Sequence, residues 1–276
     1  MMVHRLRNWA AAGLLLLAAG AASAQLKSGD NPDASENWIK VRNSLFTDRR
    51  IETASDDVLT LDAPQRAEDA AVVPVAIRSR LAASDKRHIA RLYLIIDNNP
   101  SPIAAIFDFA PASGRADIET RVRVDEYSHV RAVAELADGR LLMATRFVKA
   151  SGGCSAPPGK DPQAAAASLG RMRLNVDGTV RRGESVLAQL MISHPNSSGM
   201  AMDQATRQYT PAHYVRRVAV TYAGEPVLTA DLDFAISENP NFRFWFVPRG
   251  DGELKAEVLD TRELRFESSL ALAPVR

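Results

Sequence analysis

Apolar and polar residues alternate with a period of two along most of this chain, and that alternation sets the expected fold. Ile118, Thr120, Val122 and Val124 alternate with Glu119, Arg121, Arg123 and Asp125, the pattern of a strand with one face in the core and one in water. Val130, Ala132, Ala134 and Leu136 repeat it. Asp138-Gly139 then supplies a hairpin turn, and Met143, Thr145 and Phe147 share one face of the returning strand. Apolar runs at 72–77 and 92–96 predict more deeply buried strands, with Asn98-Asn99-Pro100 turning the chain after the second. Upstream, Trp38, Val41 and Leu45 recur at three- and four-residue spacing behind Ser35, an N-cap residue type, so a short helix is predicted over 35–46.

The alternation stops at residue 150. Ser151-Gly152-Gly153-Cys154-Ser155-Ala156-Pro157-Pro158-Gly159-Lys160-Asp161-Pro162 is followed by Gln163 and four alanines, a composition hostile to a strand. Periodicity resumes with Met172, Leu174 and Val176, then over 186–192, then with Val218, Val220 and Tyr222 ahead of Ala223-Gly224. Phe242, Phe244 and Phe246 line one face of a later strand, and Leu264 and Phe266 alternate with Arg265 and Glu267. Short strands at this spacing over about a hundred residues suit an immunoglobulin-like sandwich. The expected fold is therefore all-β: two immunoglobulin-like β-sandwich domains, 25–150 and 169–276, joined by a flexible Gly/Pro/Ala-rich segment, 151–168, with a short N-terminal helix.

Residues 1–24 have a different character. A basic start (Arg5, Arg7), an apolar stretch and the small residues Ala22-Ser23-Ala24 form the layout of a secretory signal peptide. Cleavage after Ala24 predicts a soluble periplasmic protein with no membrane attachment, and no cysteine follows the small residues to take a lipid. The leader holds two of the 34 basic residues and no acidic one, so the mature chain has 34 − 2 = 32 basic against 33 acidic groups. Near-neutrality removes the electrostatic footprint that nucleic-acid binding needs.

Chemistry-bearing motifs are scarce. There is no phosphate-cradling glycine loop, no Gly-x-Ser-x-Gly elbow and no His-Glu-x-x-His pair. His88, His129, His194 and His213 follow the leader with no i, i+4 spacing, so no metal or cofactor is expected, and a metal site would have to be assembled by the fold. Asp231 and Asp233 flank Leu232 and are expected on one solvated strand face; Arg216-Arg217 is expected on a wet face as well. Cys154 is the single cysteine, which excludes an internal disulfide and any multi-thiolate metal site. Gly152 and Gly153 leave the backbone free to present its sulfur, while Arg146, Lys149 and Lys160 are close enough in sequence to favour the thiolate. The bland alternative is an incidental thiol in a linker.

The stretch Phe147-Val148-Lys149-Ala150-Ser151-Gly152-Gly153-Cys154 resembles the end of SoxY, the sulfur-carrying subunit of the Sox thiosulfate-oxidation system, whose cysteine lies in a Gly-Gly-Cys-Gly-Gly tail. Asp97-Asn98-Asn99-Pro100-Ser101-Pro102 is similar to an earlier loop of the same subunit. The second half resembles SoxZ through Ile192-Ser193-His194-Pro195, Val220-Thr221-Tyr222-Ala223-Gly224-Glu225, Ala230-Asp231-Leu232 and Ala235-Ile236-Ser237-Glu238-Asn239-Pro240. Residues 38–51 further resemble the opening of fused SoxYZ-like carriers associated with quinoprotein dehydrogenases. The resemblance implies two immunoglobulin-like sandwiches, no enzyme active site, and covalent substrate attachment at Cys154. The carrier arm would be Gly152, Gly153, Ser155, Ala156 and Pro157, presenting the cargo to periplasmic partner enzymes of Sox or quinoprotein-dehydrogenase type. Two departures stand out: Ser155-Ala156-Pro157 replaces the glycines after the cysteine, and the cysteine is internal. The rival expectations are a two-domain immunoglobulin-like binding module or chaperone with an incidental cysteine, and a cysteine-nucleophile enzyme with His194 or His213 as base.

Overall fold

The computed structural model describes residues 31–81, 85–157, 162–203 and 206–276; the expected leader, 1–24, lies outside them. The helix forms where the spacing placed it. Ser35 caps helix α1 (Glu36–Phe46), its side-chain oxygen accepting the Trp38 N–H at 3.2 Å.

Fifteen strands follow among the described residues. The first half contributes β1 (Ile51–Thr53), β2 (Leu59–Asp62), β3 (Val73–Ser79), β4 (Ile89–Ile96), β5 (Ile103–Phe109), β6 (Ile118–Val122), β7 (Ser128–Leu136) and β8 (Leu141–Val148). A short helix, α2 (Pro162–Ser168), leads into β9 (Met172–Asp177), β10 (Val186–Ile192), β11 (Val215–Tyr222), β12 (Glu225–Leu232), β13 (Asn241–Phe246), β14 (Gly252–Asp260) and β15 (Arg265–Leu272). The predicted hairpins close as the sequence suggests. Gly139 takes φ +86° between β7 and β8, and Ala223 and Gly224 take φ +50° and +83° between β11 and β12, the left-handed pair that a tight two-residue hairpin turn requires.

The two sandwiches are open-edged and complete each other. One sheet has nine strands in the order β1-β8-β7-β4-β5-β12-β11-β14-β15, and the other six, β2-β3-β6-β13-β10-β9. Both run across the boundary between the halves. β5 pairs antiparallel with β12, from Phe109 opposite Leu228 to Ala105 opposite Leu232, and β6 pairs with β13 at Ile118 opposite Phe244. A strand edge left alone exposes a row of unpaired N–H and C=O groups; here each half covers the other's. One apolar core therefore spans both, with the Phe107 ring edge-on to Phe242 at 6.2 Å between centroids.

β7 departs from simple alternation, with eight of its nine residues buried. The reason is α1, which lies on the outer face of the nine-stranded sheet. Its Trp38 and Phe46 pack with Tyr93, Ile95, Val133 and Leu141 as a second apolar cluster. Arg131 stands fully buried beneath this helix. Its guanidinium grips Asp97 through two bonds of 2.8 and 2.6 Å, donates to the Pro32 carbonyl, and lies 4.3 Å from the Trp38 ring. No helix among the described residues is long and apolar enough to cross a membrane.

Removing one member of a buried ion pair leaves the other charge stranded, at a cost of about 3–5 kcal/mol. Arg131→Ala should lower unfolding stability by that order in urea titrations, whereas an unchanged midpoint would show that the Asp97 pair does not hold the helix down.

Candidate functional site

β8 delivers the chain to Gly152, Gly153 and Cys154, and the backbone there is tied at almost every polar atom. The N–H groups of Gly152 and Gly153 donate to the carbonyls of Asp125 (2.7 Å) and Val124 (3.0 Å), and the Cys154 N–H donates to Asp125 Oδ1 at 3.1 Å. Gly153 has no room for a side chain, since a Cβ would lie 2.1 Å from the Ala70 carbonyl oxygen. Arg123 donates from Nη1 to the Gly153 carbonyl (3.2 Å) and from Nη2 to the Asn196 carbonyl (3.3 Å), while the Ser198 hydroxyl donates to the Cys154 carbonyl. The cysteine is bound to both halves of the molecule at once.

This corrects the expectation of a freely presented sulfur. Cys154 is 0% exposed, and its thiol is pushed up to about 12, first by burial and then by the negative charge of Asp125, with Arg123 opposing and Asp233 adding. Of the cations expected to favour the thiolate, Arg146 and Lys149 do not act on it. Arg146 is exposed and donates to the Thr145 carbonyl, Lys149 makes backbone bonds beside Gln65, and Lys160 lies outside the described residues. The cation that does reach the site is Arg123, expected on a wet strand face and instead buried. Of the other arm residues, Ser155 and Pro157 are exposed and Ala156 half-buried, with the Ser155 hydroxyl donating to the Gly152 carbonyl at 3.3 Å.

The sequence blocks singled out above converge here. Asn99, in the Asp97–Pro102 turn, accepts the Asp125 N–H through Oδ1 (2.9 Å) and donates to the Arg123 carbonyl through Nδ2 (2.8 Å). Asn196, just after Ile192-Ser193-His194-Pro195, donates from its side chain to the Ile236 carbonyl and accepts the Val215 N–H. The Ala235 carbonyl accepts the Arg123 N–H at 2.7 Å. Arg123, Asn196 and Ser198 are the site residues that sequence reasoning missed. An arginine on an alternating strand reads as solvated until the partner half covers it.

The histidines form a separate cluster. Nε2 of His194 and of His213 face Asp260 Oδ2 at 3.4 and 2.7 Å, all three residues being buried. Among the described residues this is the group whose donor atoms lie close enough together, within 4.8 Å, for a metal ion. The Asn196 N–H, however, donates to His194 Nδ1 at 3.0 Å, which places the ring proton on Nε2, where it faces the carboxylate. The lone pair a metal would take is thereby occupied, and the cluster reads as a hydrogen-bonded His–Asp–His unit. Burial and the neighbouring His213 pull His194 down to about 4 against the opposing pull of Asp260. Burial raises Asp260, but bonds from His213, Leu264, Arg262 and His194 outweigh it and hold the carboxyl below its usual range. Both nitrogens of His194 are engaged, and neither histidine hydrogen-bonds to the Cys154 sulfur among the described residues, so the nucleophile–base pair is not assembled.

The aspartate pair is also corrected. Asp231 is exposed beside Arg217 (3.9 Å), whereas Asp233 lies beyond the end of β12, half-buried, with its carboxyl raised by burial. They share neither environment nor task. Arg216 is solvated as expected, paired with Glu263.

The family models match the two halves of the chain in order. The model of sulfur oxidation protein SoxY matches residues 42–154, ending on the cysteine itself, and that of sulphur oxidation protein SoxZ matches 173–271. The chain is a SoxYZ-like fusion. Both families are described as sulfur oxidation proteins. No curated protein matches the chain. Solved structures similar to parts of it include a glycosyl hydrolase family 2 member from Bacteroides cellulosilyticus (11% identity, 73% of this chain and 24% of that one, TM-score 0.23). A β-glycosidase from Bacteroides vulgatus shows 10% identity, 79% and 25% coverage and a TM-score of 0.22. The red sea bream transglutaminase shows 12%, 89% and 34%, and 0.23. The chain spans about a third or less of the length of each.

A thiol raised from 9.0 to about 12 has roughly a thousandfold less thiolate at pH 8. Iodoacetamide should therefore alkylate Cys154 at least about a hundredfold more slowly in the folded protein than in guanidinium, as read by mass spectrometry; equal rates would mean the thiol is open. His194 adds a pH dependence. Its folded value near 4 lies below the ordinary 6.5, so the unfolded chain binds the proton first and stability falls as pH drops from 6.5 to 4. His194→Gln should flatten that slope in urea midpoints measured across the window.

Proposed function

We propose that this SoxYZ-like protein is a periplasmic carrier that holds a sulfur-containing substrate covalently on Cys154 and presents it to partner enzymes. The single observation that carries the reading is convergence: the SoxY match ends on Cys154, and the SoxY-like and SoxZ-like blocks meet around that residue's backbone. The three-part leader supports export. The likeness of residues 38–51 to carriers associated with quinoprotein dehydrogenases supports partners of that kind beside Sox-type enzymes.

In the closed arrangement the thiol is protonated and sheltered, so loading requires release of Gly153 and Cys154 from Arg123, Asp125 and Ser198. The chemistry then needs an electron acceptor. Joining Cys154 Sγ to the sulfane sulfur of a thiosulfate-type substrate forms one S–S bond, releases the thiol proton and gives up two electrons, which a partner redox enzyme must take. This chain supplies the attachment atom and the shelter.

The test is the intact mass of protein purified from its native periplasm. An adduct localised to Cys154, together with loss of pathway activity in Cys154→Ser, is the expected result. A plain thiol under all growth conditions, with Cys154→Ser active, would overturn the carrier reading. The burial of the thiol favours one rival, the two-domain binding module with an incidental cysteine, which predicts partner complexes that survive Cys154→Ser unchanged.

The shelter has its own test. Ser198→Ala and Arg123→Gln each remove a bond to the cysteine segment worth about 1–2 kcal/mol, so iodoacetamide labelling of Cys154 should quicken roughly tenfold. An unchanged rate in both would show that the thiol opens by another route.

A further inference from the structure

The outer face of the six-stranded sheet carries a cleft of about 530 Å³ where the SoxY-like and SoxZ-like halves join. Pro74 of β3, Arg121 of β6 and Arg243 of β13 line it from three neighbouring strands, with Pro64 from just after β2 and Arg146 from β8 of the nine-stranded sheet. Four arginines, Arg78, Arg121, Arg146 and Arg243, meet two carboxylates, Asp62 and Glu119, an excess of 4 − 2 = 2 positive charges. The carboxylates are already engaged: Arg78 pairs with both, and Arg243 with Glu119 and Asp177.

Arg121 and Arg146 are different. Neither pairs with a carboxylate among the described residues; each donates to one main-chain carbonyl at 3.0 Å, of Asn239 and Thr145 respectively. A guanidinium is a strong, charge-assisted donor to carboxylates and other oxyanions, so two of them without a carboxylate partner at the wall of a cleft with excess positive charge form a seat for an anion. Ala63, Pro64, Pro74, Val75 and Ala76 give the lining an apolar part beside Thr120 and Asn241, and the volume lies in the range of about 300–1,000 Å³ of small-molecule sites. A bare oxyanion would leave that apolar lining unused.

We propose that this cleft binds a small organic anion, with the anionic head on Arg121 and Arg146 and an apolar body against Pro64, Pro74 and Ala76. It is formed only because β6 and β13 pair across the two halves. Its nearest link to the cysteine is along the chain, since Arg121 precedes by three residues the Val124 carbonyl that holds Gly153, a span of roughly 10 Å. The site goes beyond the carrier reading and does not need it, so binding should be the same in Cys154→Ser.

Calorimetric titration of the full mature chain at low salt, with hexanesulfonate, hexanoate, sulfate and hexaglutamate as probes, tests the proposal. One site is expected for hexanesulfonate and hexanoate, at least tenfold tighter than for sulfate. Arg146→Gln, a change at an exposed side chain, should weaken it about tenfold, and Arg121→Gln, checked for folding by circular dichroism, should do the same. Absence of binding, equal affinity for sulfate, or indifference to both substitutions would overturn it. Tighter binding of hexaglutamate than of hexanesulfonate would also overturn it, reassigning the cleft to an acidic segment of a partner protein.

Discussion

The structure rests on two strand pairings that cross the boundary between its halves. β5 with β12 and β6 with β13 convert four open edges into continuous sheets, and a shared apolar core follows because the inner faces of both sheets then run through without a break. These pairings bring the turn at Asn98-Asn99, the strand end at Arg123 and the loop at Asn196 to Ser198 to one place. Separate the halves and the wall around Cys154 disappears along with the sheet edges it leans on.

That wall creates a tension between protection and reactivity. A lone thiol in an oxidising compartment is open to oxidation and to unwanted disulfides, and burial that raises Cys154 to about 12 protects it from both. A carrier must nevertheless open. The bonds from Arg123 and Ser198 and to Asp125 are each worth about 1 kcal/mol net. A release that breaks only these costs about 3 kcal/mol, and leaves the open form populated at on the order of one per cent. Such an equilibrium shelters the thiol most of the time while keeping it available to a partner that binds the open form. Cys154 lies between β8 and α2 in the chain, so the opening involves a segment joined to an element on each side.

Legibility followed solvent exposure. Strands with one wet face and one core face announced themselves through their period, as in β6, β10 and β13, and α1 announced itself through Ser35 and its apolar spacing; β3, expected to be more deeply buried, keeps one face partly in water. Where a face was covered by something distant in sequence, the pattern misled. β7 hides both faces because α1 lies on it, and Arg131 sits in a position that periodicity gives to solvent but is buried, made tolerable by Asp97 and Trp38. Arg123 alternates like a solvated residue and is buried by the other half. The His194–Asp260–His213 unit had no signal at all, since its members lie 19 and 47 residues apart along the chain and meet only when β14 pairs with β11.

The sequence by itself determined the all-β class, the capped helix, the hairpin turns, the two halves and the cysteine between them. All of these are consequences of local backbone preference and of residue periods that act over a few neighbours. The tertiary structure alone decided that the halves share their sheets, that Arg123 and not Arg146 or Lys149 reaches Cys154, and that the thiol is shut in and protonated. Those outcomes depend on which distant surfaces come to cover which polar groups, and burial, which sets the charge of a thiol or the partner of a guanidinium, is a property of the packed whole.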